Sequence, residues 1–257
     1  MLSGPDAVRT LAGNVSALFV SFQGEGVHAG RRQLFARLGG CPLRCRYCDE
    51  PESLVPVAEC RILGPDGMRR RANPFSPATL DAEVTALAAA APPLHAIAVT
   101  GGEPLAQADF LASWLALRTS ALPVLLETAG ILPARLARVL PWVAIVSFDV
   151  KCPSNTGERA RWDEHDACFR MAVAAGREVY VKMPVDEGTA PEEVERGARL
   201  VAEAAPGAPL FLTPLTEPTT PRLTIGAGTL ERLHALASRI HPDVRVLPQL
   251  HKVLGIP

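Results

Sequence analysis

The sequence predicts an α/β fold built on a mainly parallel sheet covered by helices, and three observations carry that prediction. Short runs rich in valine, leucine and isoleucine alternate with alanine-rich helical stretches along the chain. The connections between successive runs are long enough for the crossovers that parallel strands require. The most distinctive motifs fall just after strands, at the C-terminal ends where α/β sheets place their chemistry. Periodicity alone leaves open whether the sheet closes into a barrel or stays open.

In chain order, the expected strands are LFVSF (18–22), QLFARL (33–38), HAIAVT (95–100), VLLET (124–128), VAIVSFDV (143–150), EVYVKM (178–183), PLFLT (209–213) and VRVL (244–247). The expected helices between them are TLDAEVTALAAAA (79–91), FLASWLALR (110–118), ARLARVL (134–140), CFRMAVAAG (168–176), PEEVERGARLVAEAA (191–205) and TLERLHALASRI (229–240). Serine and threonine near their starts, and glycine or proline beyond several ends, supply caps and stops. Residues 51 to about 78 break the rhythm with prolines at 51, 56, 65, 74 and 77. They read as an inserted excursion, with Arg69, Arg70 and Arg71 on a solvated loop.

A chain of 257 residues is long enough to bury a substantial core. Apolar residues make up 48%, charged residues 21%, and the formal net charge is −1. That balance gives no electrostatic reason to expect DNA, RNA or an anionic membrane as partner. No run of about 18 apolar residues is present, which argues against a membrane-spanning helix. The N-terminus, MLSGPDAVRTLAGNV, lacks a basic start followed by an apolar stretch, so no secretory signal is expected. The expected compartment is the cytoplasm, where clustered cysteines bind metal or do chemistry more often than they form disulfides.

Three of the six cysteines crowd into GGCPLRCRYCDE (39–50), at Cys41, Cys45 and Cys48. A structural zinc site takes four protein ligands, so zinc would need a distant fourth such as Cys60 or a histidine. Three thiolates on a four-iron, four-sulfur cluster instead leave one iron open to a ligand that is not a side chain. The spacing favours the cluster over zinc, and both over a redox thiol loop. Cys60, Cys152 and Cys168 lack a C-x-x-C partner and read as small apolar groups. In TGGEP (100–104), glycines let backbone approach a ligand closely and the carboxylate suits an ammonium.

The spacing C-x-x-x-C-x-x-C, here CPLRCRYC, together with TGGEP resembles the signature of the radical S-adenosylmethionine (SAM) superfamily. The resemblance implies a [4Fe-4S] cluster whose open iron takes the amino and carboxylate groups of S-adenosylmethionine. Reductive cleavage of that cofactor then yields a 5′-deoxyadenosyl radical. FQGEG (22–26), FARLGGC (35–41), TGGEPLAQ (100–107), VSFDVKCPS (146–154) and PQLHKVLGIP (248–257) together resemble one family within it, the 7-carboxy-7-deazaguanine synthases. The similarity runs from residue 18 to residue 257, apart from 51–78. It implies a partial, open (β/α) barrel forming one radical SAM domain over 1–257, usually a homodimer. The implied reaction contracts the ring of 6-carboxy-5,6,7,8-tetrahydropterin to 7-carboxy-7-deazaguanine, with loss of ammonia, toward queuosine and related 7-deazapurines. An external electron donor such as flavodoxin or ferredoxin is implied as partner.

Residue chemistry runs beside the resemblance. Gln23 both donates and accepts, which suits the amide-like edge of a pterin. Arg37 shares a strand face with Phe35, and its guanidinium fork suits a carboxylate. By resemblance, Phe22, Gln23, Gly24, Arg37, Thr100 and Pro257 line the substrate pocket, with His251 beside them as the acid–base group. Tyr47, Cys48 and Asp49 are expected to touch S-adenosylmethionine, Gly102 and Glu103 to face its methionine end, and Ser147, Asp149 and Lys151 to meet its ribose and carboxylate. Thr128 and Thr213 are further candidates for that site. Lys151 reads equally as a solvent-facing lysine.

Two positions depart from the family pattern. Glu50 stands where the family usually has a threonine that helps to hold Mg²⁺. A glutamate is a competent hard-oxygen ligand, so Glu50 is a candidate Mg²⁺ ligand, a substitute for the metal's role, or the mark of another substrate. Ala129, in ETAG (127–130), replaces a more usual asparagine and offers no side-chain hydrogen bond. The rival functions are a glycyl-radical activase, a non-enzymatic zinc or iron–sulfur module, and a relative acting on a different pterin or purine. Gln23 and Arg37 favour a small molecule over a protein substrate.

Overall fold

The computed structural model describes residues 11–91, 93–217 and 220–257. Its frame is a ten-stranded sheet in the order β10-β9-β8-β7-β6-β5-β2-β1-β3-β4, with β10 and β4 as free edges, so the barrel is open. The strands are β1 (Val15–Phe22), β2 (Arg32–Leu38), β3 (Glu59–Gly64), β4 (Gly67–Ala72), β5 (Ala96–Gly101), β6 (Val124–Thr128), β7 (Ile145–Asp149), β8 (Glu178–Val185), β9 (Leu210–Pro214) and β10 (Val244–Val246). The helices are α1 (Pro77–Ala89), α2 (Ala108–Leu117), α3 (Pro133–Val139), α4 (Pro153–Thr156), α5 (Trp162–Ala174), α6 (Pro191–Ala204), α7 (Ala227–Ser238) and α8 (Leu250–Leu254). Proline opens α1, α3, α4 and α6, where its missing N–H costs no helical bond. Ser76 caps α1 by accepting from the Thr79 amide.

From β2 through β10, adjacent strands are parallel, as the alternation of strands and helices requires. The expectation fails between the first two strands: β1 and β2 pair antiparallel. Their connection, residues 23–31, holds only one short helical turn and no crossover helix. The excursion at 51–78 is also more ordered than a loop. It contains the β3–β4 hairpin, with β3 parallel to β1, so it lengthens the sheet at one edge. The arginines lie on exposed β4 and are ion-paired, Arg69 and Arg71 with Glu83 and Arg70 with Glu59. Charge along that edge discourages pairing with another chain.

Period-two alternation divides the side chains between two layers. Leu18, Leu34, Ile97, Val99, Leu126, Val146, Phe148, Val181 and Leu212 pack outward in the main core that also takes up the helices. Ala17, Phe19, Phe35, Ala96, Ala98, Leu125, Ile145, Tyr180 and Phe211 form a separate cluster on the inner face. Alanine on β1 and β5 leaves room for the stacked Phe19 and Phe35 rings, 5.0 Å apart. The same inward register carried two or four residues on gives Arg37, Thr100, Glu127, Ser147, Asp149, Lys182 and Thr213. The barrel interior is therefore apolar at its N-terminal end and polar at its C-terminal end. Among the described residues no helix is long and apolar enough to cross a membrane.

Candidate active site

The polar ends of these strands, the cysteine loop and the C-terminal tail surround one cavity of about 290 Å³. Cys41, Cys45 and Cys48 face it from the loop between β2 and β3, all three free and half-buried. The loop is fixed by its backbone. Gly40 N–H donates to Ser53 O at 2.8 Å, and Arg46 N–H to Thr156 O at 3.0 Å. The Arg46 side chain reaches Ser154 O, and Glu158 accepts from the Arg44 amide at 2.6 Å. Leu43, Ala129 and Ile131 form an apolar backing behind the thiols. Burial pushes the thiols up, Cys45 to about 11, while Lys151 pulls the other way.

The glycines of TGGEP have a reason internal to the fold. Gly101 has φ +127°, and a Cβ there would overlap the Leu38 backbone. A Cβ on Gly102 would run into the carbonyls of Gly40 and Ser53. The Gly102 and Glu103 amides donate to Leu38 O and Gly40 O at 3.0 Å each, which seats the thiol loop against β5. Gly102 lines the cavity; Glu103 stands behind its wall, 1% exposed. Its carboxylate accepts from Thr128 Oγ1 at 2.7 Å, Ala129 N at 2.8 Å and Leu105 N at 3.0 Å. Burial raises its pKa against those three bonds. Ala129, with no polar side chain, is thus held through its amide.

Of the other expected cofactor residues, Tyr47, Asp49, Thr128, Asp149, Lys151 and Thr213 line the cavity. Ser147 does not; it is wholly buried in β7. Lys151 faces inward, donating to Asp149 Oδ2 at 2.9 Å and to Tyr47 Oη at 3.4 Å. Burial opposes its charge, yet Asp149 and Tyr47 hold its pKa well above the ordinary lysine range. The expected substrate residues Phe22, Gln23, Gly24, Arg37, Thr100, His251 and Pro257 all line the same cavity. A Cβ on Gly24 would overlap the His251 ring, so glycine there lets α8 close over the site. Arg37 lies over the Phe19 ring at 5.0 Å and donates to Glu50 Oε1 at 2.6 Å.

Among the charged and amide-bearing cavity residues, the sequence reading gave no role to Glu25, Glu127, Lys182, Gln249 and Lys252. Lys182 is 4% exposed, ion-paired with Glu25 and 3.6 Å from Glu127. Burial by itself would raise Glu25, but Lys182, His251 and Gln249 bring its carboxyl down to about 2. Gln23 Nε2 donates to Glu127 Oε1 at 2.8 Å, and Gln249 Nε2 to Glu25 Oε1 at 2.9 Å. A lysine inside the apolar run EVYVKM, in register with Tyr180, was the available sequence signal.

These residues fit an iron–sulfur cluster. All three thiols face one cavity, so a single iron–sulfur cluster seated there would be within the reach of the whole loop. The two carboxylates that follow Cys48 are engaged within the protein. Glu50 is bound to a guanidinium, and the neighbouring Asp49 Oδ2 accepts from Gln249 at 3.0 Å with Lys252 at 3.6 Å.

The Radical SAM superfamily model matches residues 37–201. The chain is 36% identical to the 7-carboxy-7-deazaguanine synthase of Geobacter sulfurreducens, over 93% of this chain and 95% of that protein. It is 33% identical to the enzyme of the same name from Methanopyrus kandleri, over 94% and 93%. Among solved structures it is similar in fold to QueE from Escherichia coli, with TM-score 0.57, 18% identity and coverage of 93% and 95%. It is also similar to Streptococcus suis SuiB bound to S-adenosylmethionine, with TM-score 0.52 and 13% identity, over 81% of this chain and 48% of that one. A thiol loop at the C-terminal mouth of an open α/β barrel defines a radical SAM fold, and superfamily membership implies a [4Fe-4S] cluster and S-adenosylmethionine. Within that superfamily, the chain belongs to the 7-carboxy-7-deazaguanine synthase family.

Proposed function

We infer that this chain converts 6-carboxy-5,6,7,8-tetrahydropterin to 7-carboxy-7-deazaguanine with release of ammonia, toward queuosine and other 7-deazapurines. One observation carries the inference: Cys41, Cys45 and Cys48 share a single cavity with Gln23, Arg37, Glu127 and His251. Cys41, Cys45 and Cys48 would hold the cluster, which together with S-adenosylmethionine would supply the hydrogen-abstracting species. The chain's own residues bind, orient and shield.

Tyr47, Asp49, Gly102, Thr128, Asp149, Lys151 and Thr213 form the wall available to S-adenosylmethionine. Lys151, kept cationic by Asp149, suits its carboxylate. On the substrate side, Glu25, Glu127 and Gln23 offer acceptors to the amino and amide edge of a pterin, with Lys182 ion-paired to both carboxylates. Arg37 suits the 6-carboxylate. Phe22 at the mouth and the tail through Pro257 cover the cavity and limit entry of water. His251, which lines the cavity, is the group we assign to move the proton that accompanies loss of ammonia. No step here is routed through Mg²⁺; Glu50 is paired with Arg37.

We include an external one-electron donor such as flavodoxin or ferredoxin; exposed Arg44 and Arg46 beside the thiols support docking of an acidic one. A cytoplasmic homodimer, with residues 1–257 acting as one radical SAM domain, completes the proposal. Anaerobic incubation with 6-carboxytetrahydropterin, S-adenosylmethionine and reductant tests it. The expected product is 7-carboxy-7-deazaguanine with stoichiometric ammonia; consumption of S-adenosylmethionine without either would redirect it to another pterin or purine.

A further inference from the structure

The cavity carries no surplus positive charge for an anionic ligand. Among the described residues, five side-chain carboxylates line it (Glu25, Asp49, Glu50, Glu127 and Asp149) against four side-chain cations (Arg37, Lys151, Lys182 and Lys252). Each cation already has an internal carboxylate: Arg37 has Glu50, Lys151 has Asp149, Lys182 has Glu25 and Glu127, and Lys252 has Asp49. A carboxylated ligand that takes one of these cations therefore competes with the carboxylate already there.

The five are not equally held. Glu25 is held by Lys182 and Gln249, Glu127 by Gln23 and Lys182, and Asp49 by Gln249 and Lys252. Asp149 binds a lysine that is itself fixed on Tyr47. Among the described residues Glu50 has one side-chain partner, Arg37, and its side chain is about a third exposed. Its backbone is anchored, since Ser53 N–H donates to Glu50 O at 2.9 Å, so the side chain can turn away while the thiol loop stays in place. Arg37 packs over the Phe19 ring, and Glu50 takes one of its terminal nitrogens, so a complete guanidinium fork is open to a ligand carboxylate only once Glu50 turns away.

We propose that Glu50 is a specificity-determining residue: its carboxylate occupies the Arg37 fork in place of the ligand's carboxylate and yields that fork when a carboxylated pterin binds. Stray carboxylates without a ring for Gln23, Glu25 and Glu127 to hold do not displace it. The proposal rests on the assignment of Arg37 to the substrate carboxylate.

The test uses the reconstituted holoenzyme under anaerobic conditions and two inert aromatic probes, 6-carboxypterin and pterin. Binding is measured by titration calorimetry without added divalent cation, for wild type, Glu50→Gln and Arg37→Met. Matched iron content and melting temperature establish that the variants fold; Glu50→Ala serves as the second variant. Removing the competing charge is expected to tighten 6-carboxypterin by about tenfold, with pterin changed less than about twofold. Arg37→Met is expected to weaken 6-carboxypterin selectively. If Arg37→Met does so while Glu50→Gln leaves the carboxylated probe unchanged or weaker, the Glu50 proposal fails and the Arg37 assignment stands. If Arg37→Met treats both probes alike, both fail. Tightening of wild type by added Mg²⁺ that disappears in Glu50→Gln would make Glu50 a metal ligand and overturn the proposal.

Discussion

Gln249 Nε2 donates to Asp49 Oδ2 at 3.0 Å, joining the C-terminal tail to the residue that follows the third cysteine. The same amide reaches Glu25 Oε1 at 2.9 Å. One side chain thus ties together the thiol loop, the β1–β2 connection and the segment that carries His251. The tail then lies over the cavity as a cover, seated where glycine at 24 leaves room for the His251 ring.

Removing that tie should loosen the cover without dismantling the cluster site. For Gln249→Ala we expect KM for the pterin to rise about tenfold with kcat changed far less, the pattern of lost ground-state binding. Iron content should match wild type, and amide hydrogen exchange should accelerate over residues 250–257. A fall in iron content would show instead that the loop depends on the tail.

Among the described residues, Lys182 is the only cation ion-paired with the half-buried carboxylates of Glu25 and Glu127 on the inner wall. Lys182→Met leaves Glu25 and Glu127 without their counter-ion, a change expected to destabilise the fold by about 3–5 kcal/mol. Anaerobic denaturant titration measures it. Adding Glu25→Gln to that variant should recover part of the loss, because one uncompensated charge is removed.

The pH dependence follows from depressed pKa values. Burial opposes the Glu25 charge, but Lys182 and its other partners bring the carboxyl from 4.5 to about 2. The unfolded chain therefore binds this proton first, and the contribution present above pH 4.5 is lost as pH falls toward about 2. His165 acts in a higher window. It is wholly buried, and burial followed by Lys151 lowers it from 6.5 to about 4. Its Nε2 faces the Lys151 amide at 3.4 Å. Stability should thus begin to fall as pH drops below 6.5, with the loss continuing to about 4. His165→Asn should flatten the slope of melting temperature against pH in that upper window and leave the Glu25 window in place.

The parallel part of the fold was legible because β5 to β9 alternate with helices whose apolar runs and caps stand out locally. The β1–β2 pairing was not, since nine residues between strands look alike whether they turn back or begin a crossover. Nor was β3–β4: GMRRRA is exposed on every residue, so it shows no buried face to mark a strand. Within the site, motifs led to the thiols, Gln23, Arg37 and His251. Glu127 and Lys182 were passed over because their role depends on inward register beside neighbours more than fifty residues away. For Glu103 and Gly101 the chemistry of the residue types suggested a ligand, while the structure uses them to fasten the β5 turn to Thr128, Ala129 and the Leu38 backbone.

The central claim is that Cys41, Cys45 and Cys48 hold a cluster with one iron free of protein ligands. Hyperfine spectroscopy tests it most directly, on the reduced, reconstituted protein with S-adenosylmethionine labelled at its amino nitrogen and carboxylate oxygen. We predict about four irons per chain and coupling of both labels to the cluster, abolished in Cys45→Ala. A stoichiometric zinc ion in place of iron, or a four-iron cluster with no coupling to either label, would contradict the account.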